Sequence, residues 1–364
     1  MQRARVTTAI VGVAVVAMAM TACGSKSDTT TSGGSASSTG SAASSFVACM
    51  VTDTGGINDK SFNQSAWAGM QAAQTDGKAT VSYLPSTTAS DYTKNIAALE
   101  AKSCKLIVTV GFNLSQATTA AAKAAPSQHF AIVDNAGNKS NIQGLQFNTA
   151  QAGFQGGYLA AGYSKSGKVA TYGGMKFPSV TVYMDGFWEG VQYYNTKHKT
   201  KVEVLGWDER TQKGSFANSF TDQTKGSQLA KNFIQAGADV LYPVAGGTGL
   251  GTAAAAQASG GKASVIWVDT DGCVSAPQYC SIFLTTTFKG IDSAVKTSIE
   301  SASAGTFASS DYVGTLANGG TGLSPYHDFA SKVPAALQAE VTQVGKDIAA
   351  GTITLTSKSQ PASS

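Results

Sequence analysis

Arginine is almost missing from this chain of 364 residues: Arg3 and Arg5 stand at its start, and Arg210 is the only other. The planar guanidinium fork is the usual partner of carboxylates and phosphates, so the chain is poorly equipped for an anionic ligand. Histidine is equally scarce. His129, His198 and His327 fall in no His-x-x-x-His or Cys/His spacing and no Cys-x-x-Cys is present, which argues against zinc. There is no Gly-x-Ser-x-Gly elbow, and the Gly-Lys pairs at Gly77, Gly167, Gly261 and Gly345 lack the Ser or Thr of a phosphate loop. Gly246-Gly247-Thr248-Gly249-Leu250-Gly251 cannot be fitted to Gly-x-Gly-x-x-Gly. Together these absences leave no catalytic residues, no metal site and no cofactor to expect.

Charge is thin as well, with 13% charged residues and a net charge of +4. The one long apolar run, Val6 to Met20, follows Arg3 and Arg5 and ends at Met20-Thr21-Ala22-Cys23. It falls short of the ~20 residues that span a bilayer, and its charged start and small-residue ending have the form of a signal peptide over residues 1–22 with a lipobox at Cys23. Cleavage removes two arginines, and a mature charge of +2 does not advertise nucleic-acid binding. Residues 23–45, nearly all Gly, Ser, Thr and Ala after the cysteine, cannot bury enough apolar surface to order themselves and are expected to act as a tether.

From Phe46 onward the chain is rich in what a core needs, 42% hydrophobic residues overall. Short β-rich runs, among them Val47 to Val51, Leu106 to Val110, Phe130 to Val133, Val240 to Val244, Val265 to Val268 and Ile282 to Leu284, alternate with Ala-rich stretches of helical spacing. Strand–helix alternation means parallel sheets. The pattern repeats: Gly111 closes one strand and Asp134 the next, Gly246 closes one and Asp269 the next, at the same spacing of 23 residues. Two doubly wound α/β lobes facing a cleft are the expectation, with the break near Phe147-Asn148.

With Cys23 assigned to lipid, four cysteines remain, an even number for an oxidising compartment. Cys273 and Cys280 flank a short loop, and Cys49 and Cys104 lie on or just before strands that adjacency would bring together; two disulfides are expected. Asp53, Asp134 and Asp269 each follow an apolar strand, at the sheet edge where α/β proteins bind ligands. Carboxylates there accept hydrogen bonds from neutral donors, and aromatic faces complete a pocket for a flat ring. Ser61 and Gln64 have capping-box spacing at the head of a helix, although Asn58 or Asp59 could cap instead.

Thr52-Asp53 followed by Asn58-Asp59-Lys60-Ser61-Phe62-Asn63-Gln64 resembles the signature of the basic membrane protein family, substrate-binding lipoproteins that include a bacterial purine nucleoside receptor. The likeness runs from about Val47 to about Lys289. It continues through Asn218-Ser219-Phe220-Thr221-Asp222, Val244 to Gly249, Val265 to Asp269 and Leu284 to Lys289.

The resemblance implies the type I periplasmic-binding-protein fold, with the chain crossing back near Asp271-Gly272 to add a strand and a helix to the first lobe. The lobes would then be residues 46–147 with 273–306, and 148–272 with 307–358. It implies a nucleoside held between Phe62 and Phe220, with Phe216 a rival for the second wall. Gly246 and Gly247 would meet the ribose, Asp269 and Lys289 would hold its hydroxyls, Asp53 and Asp134 would lie near the base, and Asn63 would be a further ligand-binding residue.

Under the same resemblance the protein is a monomeric, non-enzymatic receptor, lipid-anchored on the extracytoplasmic face of the cell membrane and serving an ABC-type permease. A sensing lipoprotein that reports to a membrane partner, or a nucleoside hydrolase, are the alternatives. Arg210 could approach the pocket, a surface position being the simpler expectation.

Overall fold

The computed structural model describes residues 45–362; the expected signal peptide, Cys23 and all but the last residue of the tether lie outside them. No helix among the described residues is long and apolar enough to cross a membrane.

The chain opens with β1 (Val47–Val51), α1 (Phe62–Thr75), β2 (Thr80–Leu84), α2 (Asp91–Ala101), β3 (Leu106–Val110), α3 (Ser115–Ala124), β4 (His129–Val133) and β5 (Ile142–Phe147). These strands pair in parallel in the order β5-β4-β3-β1-β2. Helices join β1 to β2, β2 to β3 and β3 to β4, and the loop 134–141 joins β4 to β5; each connection carries the chain back to the same sheet edge, so neighbouring strands run the same way. The central strands are buried on both faces, which is why Leu106-Ile-Val-Thr-Val110 reads as a continuous apolar run with no alternation.

The second half repeats the design with α4 (Ala150–Tyr163), β6 (Lys168–Gly173), α5 (Pro178–His198), β7 (Glu203–Leu205), the small hairpin β8 (Trp207–Asp208) and β9 (Lys213–Gly214), α6 (Gln223–Gln235), β10 (Val240–Val244), α7 (Gly249–Ala258), β11 (Ser264–Asp269), α8 (Gly272–Ser275) and β12 (Phe283–Lys289). Its sheet has the order β12-β11-β10-β6-β7, the same doubly wound sequence as the first. Pro178 sits in the first turn of α5, where its missing N–H costs nothing. Glycines let α4 and α5 pack closely: a Cβ on Gly157 would lie 2.0 Å from the Phe187 carbonyl oxygen.

The return of the chain departs from expectation. The strand after Asp271-Gly272 does not join the first sheet; β12 lies beside β11 in the second, pairing Ile266 with Thr285 and Asp269 with Phe288. The crossing comes later, at Lys289-Gly290. From there α9 (Ile291–Ser303) covers the first lobe, burying Ile291, Val295 and Ile299 with Ala66 and Met70 of α1. The strand added to the first sheet is β13 (Tyr312–Gly314), beside β5, while β14 (Thr321–Leu323) returns antiparallel to β12 and α10 (Ala335–Ala349) completes the second lobe.

The expected boundaries at residues 273 and 306 are therefore replaced by crossings at Lys289-Gly290 and between Gly314 and Thr321. The physical reason is that the connection after β11 buries its apolar residues on the second lobe, Ala276, Ile282 and Phe283 packing with Val265 and Trp267, so the next strand extends that sheet.

Candidate functional site

Both sheets present their strand carboxyl ends to a common cleft, and the left-handed backbone at four strand ends builds it. Gly111 (φ +114) and Gly246 (φ +51) close β3 and β10, and Asp134 (φ +67) and Asp269 (φ +68) close β4 and β11. A side chain at Gly111 would be strained and its Cβ would lie 3.0 Å from Oδ2 of Asp53. The cleft holds some 620 Å³ of atom-free space, a figure that includes its part open to solvent. Asp53, Phe62, Asn63, Asp134, Phe220, Gly246, Gly247, Asp269 and Lys289 all line it.

At one end Asp53 accepts through Oδ1 from the Gly55 N–H (3.0 Å) and Asn63 Nδ2 (2.7 Å). Burial raises its pKa, those two bonds opposing. Asn63 Nδ2 also reaches Asp59 at 3.3 Å, which leaves Asn63 Oδ1 buried without a donor. Asp59 caps α1: its carboxylate accepts from the N–H groups of Ser61 (3.1 Å), Asn63 (2.8 Å) and Gln64 (3.0 Å). Of the possible caps it is Asp59 that acts, and the Ser61–Gln64 capping box does not form. Burial pushes the Asp59 carboxyl up to about 6 against those bonds.

At the other end Lys289, 3% exposed, donates to both oxygens of Asp134 at 3.0 and 2.9 Å and stands 3.9 Å from Asp269. Its Nζ lies over the rings of Phe62 (5.1 Å), Tyr183 (5.2 Å) and Phe147 (5.8 Å), whose π-faces favour the cation. Burial raises the Asp134 pKa while Lys289 pulls it down. Asp269 accepts from Tyr183 Oη at 3.0 Å and from Ser61 Oγ at 2.5 Å; burial, then Asp269, holds the Tyr183 hydroxyl far above its usual pKa, so it stays a donor. The cleft lining thus carries four acidic side chains, Asp53, Asp59, Asp134 and Asp269, and one amine, a balance that favours a ligand rich in neutral donors and penalises an anion.

Phe220 lines the cavity against Gly174 and Gly246, whereas Phe216 packs beneath Gly173 and edge-on to Trp207 at 5.9 Å. Arg210 stays on the surface, paired with Asp208 at 2.8 Å and over the Trp188 ring. None of the three histidines lines the cavity. The sequence reading missed Phe112 and Phe177, which stack on each other at 5.2 Å, with Phe177 continuing to Phe220 at 6.2 Å. Phe112 had a signal, following strand-end Gly111, and Phe177 precedes a helix-opening proline; Tyr183, in mid-helix, had none.

Cys49–Cys104 and Cys273–Cys280 are bonded in the structure. Asp271, Cys273 and His327 bring their ligand atoms within 4.8 Å of one another, but the Cys273 sulfur is held in its disulfide and offers no thiolate.

Known proteins share this architecture and sequence. The family model described as ABC transporter substrate-binding protein PnrA-like (Bmp) matches residues 46–354. The chain belongs to that family, whose members bind substrates for transporters and are not enzymes. It is similar to the ABC transporter nucleoside-binding protein BmpA of Lactococcus lactis subsp. cremoris, 35% identical over 229 residues, 61% of this chain and 62% of that protein's length. The CD4+ T-cell-stimulating antigen of Listeria innocua is 32% identical over 332 residues, covering 85% of this chain and 87% of its own. Among solved structures, an ABC transporter solute-binding protein of Aeropyrum pernix K1 shares the fold at a TM-score of 0.76 and 24% identity, over 85% of this chain and 93% of that one.

Proposed function

We propose that this protein is a nucleoside receptor, purine in preference, that closes its two lobes over the ligand and delivers it to an ABC-type permease. The observation that carries the reading is the composition of one cavity. Phe62 and Phe220 supply aromatic faces from opposite lobes; Asp53 and Asn63 offer acceptors at one end, Asp269 at the other. The nearby cation, Lys289, is already engaged by Asp134. Aromatic walls suit a base, and fixed acceptors suit its N–H groups and the hydroxyls of a ribose. The Gly246-Gly247 turn, opening onto α7, lets backbone N–H groups approach the ligand closely.

The nucleoside-binding relative in Lactococcus supports the same ligand class. Ligand contacts with both lobes favour the closed state over the open one, and no bond-making step is needed. The receptor works as a monomer on the extracytoplasmic face of the membrane, held by an acyl chain on Cys23. The test is mass spectrometry of the small molecule retained through native purification: a nucleoside is expected, and a sugar without a base would overturn the reading.

A further inference from the structure

Ser61 has the position of a helix cap, its carbonyl accepting from the Ser65 N–H at 3.0 Å, but its side chain makes no capping bond. It is wholly buried, and its hydroxyl leaves its own lobe, donating to Asp269 Oδ2 at 2.5 Å with the Val268 carbonyl at 3.4 Å. Its neighbour crosses too. Lys60 holds a left-handed backbone (φ +61), disfavoured for a residue with a Cβ, and its carbonyl accepts from Trp267 Nε1 at 3.2 Å. Asp59, by taking over the cap of α1, fixes this loop to the first lobe and frees Ser61 for the second.

Asp269 therefore has one donor from each lobe: Tyr183 of α5 on Oδ1 and Ser61 on Oδ2. A carboxylate oxygen has two acceptor positions, so each keeps one for a further donor. Two such positions, side by side, match a pair of neighbouring hydroxyls.

We propose that Ser61 is a positioning residue: on closure its hydroxyl completes the donor set that orients the Asp269 carboxylate for a vicinal diol, so the second lobe's acceptor is set only when the first lobe has docked. The ligand class rests on the nucleoside reading above; the latch between lobes does not. Ser61 then contributes to affinity without touching the ligand, and it contributes more for a ribose than for a sugar with a single hydroxyl.

The experiment compares full-length wild type, Ser61→Ala, Ser61→Thr, Asp269→Asn and the Ser61→Ala/Asp269→Asn pair, by calorimetry and stopped-flow, with guanosine and 2′-deoxyguanosine. Ser61→Ala should weaken guanosine binding about tenfold, the scale of one hydrogen bond to a charged group, chiefly through faster dissociation. The preference for guanosine over 2′-deoxyguanosine should shrink with it, Ser61→Thr should restore part of both, and the double variant should lose no more than Asp269→Asn alone. Unchanged dissociation in Ser61→Ala, or losses that multiply in the double variant, would overturn the proposal. If Ser61→Ala does not fold, Ser61→Cys, similar in size with a weak donor, replaces it.

Should wild type bind neither compound, the nucleoside reading fails by itself. The latch is then judged on the small molecule retained through native purification, whose release must be faster from Ser61→Ala than from wild type; equal release rates defeat it.

Discussion

Asp134 and Asp269 are counterparts in the two lobes, each 23 residues beyond a strand-end glycine in left-handed backbone, with φ +67 and +68, and both face the same Lys289 ammonium, at 2.9 and 3.9 Å. One cation at a crossing of the chain thus links the edges of two sheets. Removing it would leave two buried carboxylates facing each other.

Lys289→Met should accordingly destabilise the protein by about 3–5 kcal/mol, the cost of breaking a buried pair. Adding Asp134→Asn should recover part of that loss, since the stranded charge goes with it. Urea unfolding of the single and double variants measures both, and a double variant no more stable than the single would argue that the pair is not the source.

The ligand reading makes its own demand on Phe62 and Asp269. Stacking on an aromatic is worth about 1–3 kcal/mol per base, so Phe62→Ala should weaken nucleoside binding roughly ten- to a hundredfold. Asp269→Ala should do at least as much to nucleosides and spare the free bases. Calorimetry with adenosine, guanosine, inosine, cytidine and the matching bases decides it; equal affinities across wild type and both variants would rule out this assignment.

Acidity should act through Asp59. Its carboxyl is raised from 3.8 to about 6 by burial, so the folded state favours the protonated form. The corresponding stability is complete below about pH 4 and is lost as pH rises through about 6, on the order of 3 kcal/mol in all. Denaturation curves between pH 4 and 7 should show wild type losing stability relative to Asp59→Asn over that window. Parallel pH profiles would show that the carboxyl does not titrate there.

The two disulfides should differ in weight. Cys49–Cys104 spans a separation of 55 residues and Cys273–Cys280 only 7. Chain-entropy reasoning gives about 4 kcal/mol for the first and about 2 for the second. Serine replacement of each pair, followed by thermal unfolding, should preserve that order, and peptide mapping without reductant should find no free thiol among the four.

Cys23 lies outside the described residues, but its sequence context makes a direct prediction. Cys23→Ser should release the protein from membranes into the soluble fraction, and a variant still sedimenting after a high-salt wash would need a different anchor.

Local patterning determined a good deal by itself: two α/β halves in parallel sheets, the equal spacing from Gly111 to Asp134 and from Gly246 to Asp269, and three aspartates at strand ends. These follow from hydrophobic periodicity and from turn chemistry, which act over a few residues. The tertiary structure alone decided that β12 extends the second sheet, that the crossing falls at Lys289-Gly290, and that Lys289 therefore stands between Asp134 and Asp269. It alone turned Ser61 away from its helix, brought Tyr183 of α5 to Asp269, and stacked Phe112 on Phe177. Which sheet a strand joins, and which partner a buried hydroxyl finds, depend on the burial of surfaces far apart in the chain, and a local pattern carries no record of them.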